Sequence, residues 1–173
     1  MQTGLTLIPN AVCAEVAERV VIGPSVRSAI TAHVRAAPRT ETGGILVGRT
    51  LGDALEVTFA SGPGPRAVRR KHYFLRDKGF LQGVLDREVA RSDGAVEYVG
   101  EWHVHPALDA PPSFVDRRSL RRIARRRNYP TDRPVLLIVE KARGEQRLRA
   151  YEFVVKPKKG FREVPVVREL SRG

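Results

Sequence analysis

A chain of 173 residues with 42% hydrophobic and 29% charged residues is long enough to bury one core without disulfide staples and too apolar to stay disordered. Its single cysteine, Cys13, excludes an intramolecular disulfide and a cysteine-based metal cluster, which fits a reducing cytoplasm. The net charge of +12 is compatible with a solvated arginine-rich face, an acidic partner or substrate, or nucleic acid; charge alone does not choose among them.

The opening MQTGLTLIPNAVCAEV has neither a basic leader nor a long apolar stretch, so no secretory signal is expected. Val20 to Ile22 reads as a short strand. Gly23-Pro24-Ser25 then opens a helix to about Ala36, with Val26, Ile30 and Val34 on one face, and Pro38 ends it. Gly43 to Val47 reads as a buried strand and Leu55 to Ala60 as its hairpin neighbour, stopped by Gly62-Pro63-Gly64-Pro65. After a basic stretch ending in Tyr73-Phe74-Leu75, a second helix spans Lys78 to about Arg91, its apolar side supplied by Phe80, Leu81, Val84, Leu85 and Val89. Glu97 to His105 is a strand, and Pro106 to Pro112 a proline-rich loop. A third helix from Ser113 to about Arg127 leaves Leu120, Ile123 and Ala124 for a buried stripe. Val135 to Val139 is the longest apolar run, far short of the ~20 residues needed to cross a bilayer. It reads as a strand, as does Arg149 to Val155. The basic tail from Lys156, broken by Pro157 and Pro165, reads as loosely ordered. This order predicts a mixed α/β domain with one sheet packed between helices.

Residues 1–65 carry five Lys/Arg against five Asp/Glu, so the whole excess of charge falls in residues 66–173. Its densest block is Arg117, Arg118, Arg121, Arg122, Arg125, Arg126 and Arg127, at helical spacing.

The segment that carries chemistry is Trp102-His103-Val104-His105-Pro106, followed by Ser113-Phe114-Val115-Asp116. Residues two apart on a strand share a face, so His103 and His105 can converge on one ion. The loop can return the chain so that the next helix offers Asp116 from its first turn. Three protein ligands leave a fourth tetrahedral position for water, the arrangement of a catalytic zinc. Each piece also has an ordinary reading: paired histidines as surface or packing residues, and Ser-x-x-Asp as a capping box. Trp102 points to the opposite face and reads as core. His33, His72 and Cys13 read as structural or inert, and Gly43 and Gly44 as sites of close backbone packing.

His-x-His, seven residues, then Ser-x-x-Asp, with an upstream glutamate before a small-residue strand, resembles the JAMM motif of JAB/MPN metallopeptidases. Here it reads HVH, PALDAPP and SFVD, with Glu41 in ETGGILVG. The resemblance covers roughly residues 15–155. It implies a single cytidine-deaminase-like α/β domain over residues 1–173, with its core at about 15–155 and a basic tail at 156–173. It also implies one Zn2+ on His103, His105 and Asp116, with Glu41 as catalytic base and Ser113 stabilising the oxyanion. The family cleaves after the C-terminal glycine of ubiquitin or ubiquitin-like proteins, often as isopeptidases. The phrases GGILVG, GPGP, HYFLRD and YVGEWHVHP look most like stand-alone bacterial JAB proteins of antiphage defence operons. Those are encoded beside ubiquitin-activating-like and conjugating-like enzymes. Alternatives are a JAB peptidase that processes sulfur-carrier proteins, a non-catalytic MPN module, and a nucleic-acid-binding protein using the Arg117–Arg127 helix.

Overall fold

The structure, a computed structural model, describes residues 17–70, 73–125, 131, 133–142, 144–154 and 160–168. Cys13, His72, Arg126 and Arg127 lie outside the described residues.

The first strand, β1 (Arg19–Ile22), leads into α1 (Pro24–Ala36). Gly23 is the extended N-cap, and Pro24 starts the helix where a missing N–H goes unnoticed. Val26, Ile30 and Val34 are its buried stripe, at the spacing a helix needs. A hairpin follows: β2 (Gly43–Leu51) and β3 (Ala54–Ala60). Gly52 makes the turn with φ +57°, in open space where a side chain would be strained rather than crowded.

The basic stretch between the hairpin and the second helix, given no secondary structure in the sequence reading, forms a two-stranded ribbon, β4 (Val68–Arg70) with β5 (Tyr73–Leu75). Then come α2 (Lys78–Arg91), capped by the Asp77 side chain on the Phe80 N–H, and β6 (Glu97–His105). Leu81 and Val84 are buried on α2, whereas Phe80 is 39% exposed, so the apolar side of this helix is narrower than its sequence suggests. The remaining elements are α3 (Phe114–Ala124), β7 (Val135–Ala142), β8 (Glu145–Val154), β9 (Gly160–Val164) and β10 (Val166–Arg168).

The eight-stranded mixed sheet runs β10-β1-β3-β2-β6-β7-β8-β9. Its two ends are joined. β9 pairs with β8 on one edge, β10 pairs with β1 on the other, and only Pro165 lies between them. The Pro165 carbonyl accepts a hydrogen bond from the Val20 N–H (2.8 Å). The sheet therefore curls until one nearly continuous strand serves both edges, which removes the open edges a flat sheet would leave. This corrects the expectation of a loosely ordered tail where the tail is described: Gly160–Val164 and Val166–Arg168 are strand, and 156–159 and 169–173 lie outside the described residues. The basic, proline-broken composition of these two strands hid the alternation that places Val164 in the core, 1% exposed.

Inside the curl, α1 packs Val26, Ile30 and Val34 against Val20, Leu46, Val57, Trp102, Val104 and Leu137. On the opposite face α2 covers Ile45, Val47 and Tyr98, and α3 covers Leu136, Ile138 and Phe153 through Leu120. The predicted sheet between helices is what forms. No described helix is long and apolar enough to cross a membrane.

Candidate metal centre

Strand β6 sits near the middle of the sheet, between β2 and β7. Its even residues Trp102 and Val104 enter the core beneath α1. Glu101, His103 and His105 consequently face the other way, toward the side held by α2 and α3. The imidazoles of His103 and His105 stack, with centroids 4.7 Å apart and an interplanar angle of 22°.

Helix α3 brings the third group. Ser113 is its N-cap, and the capping box is complete: the Asp116 N–H donates to Ser113 Oγ (3.2 Å) and the Ser113 N–H donates to Asp116 Oδ2 (2.6 Å). Arg117 Nε donates to the Pro112 carbonyl (3.0 Å), fastening the first turn to the end of the proline-rich loop. The capping-box reading of Ser-x-x-Asp holds, and it is compatible with the ligand reading, because the cap that starts the helix also fixes the direction of Asp116. Its carboxylate lies 3.5 Å from His103 Nε2 through Oδ1 and 3.4 Å from His105 Nε2 through Oδ2.

These distances are also those expected of a metal cage. Tetrahedral ligands at about 2.0–2.1 Å from one zinc stand roughly 3.3 Å apart, close to both observed separations. One donor atom from each of the three residues falls within 4.8 Å of the others. His103 Nε2 is buried and makes no hydrogen bond. A buried polar nitrogen without a partner is costly, and a cation between the three groups would satisfy it. The donor set of two imidazoles and one carboxylate fits a divalent ion of zinc type.

Electrostatics prepare these groups in the same sense. Burial pushes the His103 imidazole down from 6.5 to about 4; Asp116 opposes that fall, while His105 and Arg76 add to it. The imidazole is thus neutral at physiological pH, the form that ligates. Burial alone would raise the Asp116 carboxyl, but hydrogen bonds from His105 and Ser113 and the proximity of His103 outweigh it and hold the group far below the usual carboxylate range.

The backbone register carries Glu41 toward the same side of the sheet. β2 pairs antiparallel with β6, Gly43 opposite His103, and the Val104 N–H donates to the Thr42 carbonyl (3.0 Å) beyond the last ladder pair. Continuing that register sets Glu41 across from His105 on the ligand face. Its own N–H donates to the Arg70 carbonyl of the ribbon (3.1 Å). Gly43 permits this approach: a Cβ there would stand 2.2 Å from the Trp102 carbonyl and 2.9 Å from His103 Cβ. Trp102, 1% exposed, donates from Nε1 to the Ser61 carbonyl (2.9 Å), as expected of a core residue, and stacks on the half-buried His33.

The structure adds an ion pair that sequence reasoning missed. Arg76, just after the ribbon, pairs with buried Glu101 on β6, next to His103 on the same face. The two-residue spacing of Glu101 from His103 was a usable signal for the face, but nothing in the sequence linked it to Arg76. Glu140 on β7, also fully buried, lies opposite His105 in the parallel register and accepts a hydrogen bond from Arg149 (3.2 Å).

Known proteins resemble this chain. The model of prokaryotic homologues of the JAB domain matches residues 23–154, a span that holds all five motif residues. A probable metalloprotease (y4qB) of Sinorhizobium fredii is 34% identical over 101 residues, 57% of this chain and 62% of that protein. A CD-NTase/cGAS isopeptidase of Escherichia coli is 38% identical over 80 residues, 46% of this chain and 51% of that protein. The chain thus spans about half to three-fifths of the length of these relatives. The solution structure of a Desulfitobacterium hafniense protein shares the fold, with a TM-score of 0.64 at 20% identity over 87% of this chain and 92% of that one. The chain belongs to the prokaryotic JAB-domain family.

Proposed function

We propose that the protein is a zinc-dependent isopeptidase that releases a ubiquitin-like protein, cutting after its C-terminal glycine. The observation that carries this reading is the convergence of His103, His105 and Asp116 around a buried, unsatisfied Nε2, within a chain of the JAB family. These three residues would hold one Zn2+. When bound, zinc would supply a Lewis acid that lowers the pKa of a coordinated water toward neutrality.

The chain's own groups do the rest. Glu41, on the ligand face but not among the three converging donors, takes the proton of the attacking water and later hands it to the leaving amine. Ser113 Oγ already accepts the Asp116 N–H, so its hydroxyl hydrogen is available to donate to the developing oxyanion. The ribbon beside Glu41 supports an extended substrate, because a glycine-ended tail can add main-chain hydrogen bonds to a strand edge with little demand on sequence.

The names of the relatives, CD-NTase/cGAS isopeptidases of Escherichia coli and Vibrio cholerae, favour an isopeptide-linked target of that class over sulfur-carrier processing. The same proposal gives it a cytoplasmic role in bacterial antiphage defence beside ubiquitin-activating-like and conjugating-like enzymes. Incubating the zinc-loaded protein with a conjugate built by enzymes of neighbouring genes should yield the free modifier. Intact conjugates with the native protein, or equal release by Glu41→Ala, would reject the assignment.

A further inference from the structure

We propose that the exposed face of α3 is a docking surface for an acidic, partly apolar patch on the protein whose tail enters the metal centre. The inference rests on the isopeptidase reading and adds to it the surface chemistry of the partner.

Arg118, Arg121, Arg122 and Arg125 are all exposed, and none of them makes a hydrogen bond or ion pair among the described residues. Their i,i+3 and i,i+4 spacings stack like charges along the helix, which opposes helix formation. The only acid on α3 is Asp116, and it is turned toward His103 and His105. Helix α2 is built differently: its Arg91 faces Glu88, and its Gln82 binds Asp86. The charge on α3 is therefore uncompensated within the described fold, and an anionic partner would relieve it.

Two features favour protein over nucleic acid. The basic residues on α3 are all arginine, and its first turn exposes Phe114 (77%) and Val115 (72%). Arginine and aromatic side chains together are the composition of protein interfaces, whereas bulky apolar groups add nothing to a phosphate backbone. The location ties the patch to the reaction. At 1.5 Å rise per residue, Arg125 stands roughly 14 Å along the axis from Asp116, too far to touch a scissile bond but within reach of the body of a bound protein. Arg69 and Arg70 of the ribbon, whose Arg70 carbonyl accepts the Glu41 N–H, are exposed as well.

The test uses the full chain and three fluorescein-labelled probes: a Glu-Glu-Leu repeat, a Gln-Gln-Leu repeat of equal length, and a single-stranded oligodeoxynucleotide of matching charge. Anisotropy should show the acidic peptide binding at least about tenfold more tightly than the glutamine peptide, with the preference shrinking from ~50 to ~200 mM salt. The variant R118Q/R121Q/R122Q/R125Q should lose that preference while keeping its circular dichroism and zinc content; R118Q/R122Q serves if the fourfold variant does not fold. Equal binding of the two peptides, or an unchanged preference in the variants, overturns the proposal. Tighter binding of the oligonucleotide through the same arginines overturns it in favour of nucleic acid. Either result with zinc content and Glu41-dependent cleavage intact removes the docking surface and leaves the isopeptidase standing. Absence of zinc from the native protein would sink the isopeptidase first.

Discussion

The two faces of β6 are one peptide apart and follow different rules. Trp102 and Val104 face α1 at 1% and 6% exposure, and the one polar atom among these side chains, Trp102 Nε1, is satisfied by the Ser61 carbonyl. His103, His105 and Glu101 face the other way. There an imidazole nitrogen is buried without a hydrogen bond, and a carboxylate is buried against Arg76. One face holds the fold together. The other keeps polar groups partly desolvated, an arrangement that destabilises the chain unless an ion occupies it. Such local conflict with ordinary folding rules is expected where a chain is built for chemistry.

The sharpest break of this comparison is deletion of a ligand. Asp116→Ala or His103→Ala should drop zinc from one per chain to a trace by elemental analysis and bring cleavage to background. Full zinc in either variant would contradict the ligand assignment. Glu41→Ala should lower turnover by roughly 10²–10⁴-fold while zinc stays at one per chain, separating chemistry from metal holding on the same face.

Trp102→Ala tests the opposite face. A cavity and an orphaned Ser61 carbonyl should cost about 3–5 kcal/mol in denaturant unfolding, while the molecules that remain folded still bind zinc. Selective zinc loss at full stability would show that the two faces are not separable.

The metal-free protein should also be sensitive to acid. His103 has an ordinary pKa of 6.5 and a folded value of about 4, so the unfolded chain takes up its proton first. Stability from this residue is present above pH 6.5 and is lost as pH falls toward 4, by up to ~3 kcal/mol. His103→Gln should flatten that slope, and a slope equal to the native one would assign the effect elsewhere. The smallest change is Ser113→Ala, about 1 kcal/mol from the lost cap. Partial zinc loss should accompany it, because the cap aims Asp116; zinc content unchanged alongside the stability loss would show that the cap only builds the helix.

Much of this molecule was legible in the chain itself. The two-residue period of β6 separated Trp102 from His103 before any coordinates. Ser113-x-x-Asp116 announced a capped helix, and the apolar spacing of α1 named its buried stripe. These signals are local, carried by residues within one turn or one pleat of each other, so backbone geometry alone determines what they mean. What the tertiary structure decided are the pairings between distant segments. Gly43 opposite His103, Arg76 against Glu101, and residues 160–168 closing the sheet between β8 and β1 all depend on strand register and on which face remains uncovered. Those are set by the free energy of burying the whole core, and no short window of sequence contains it.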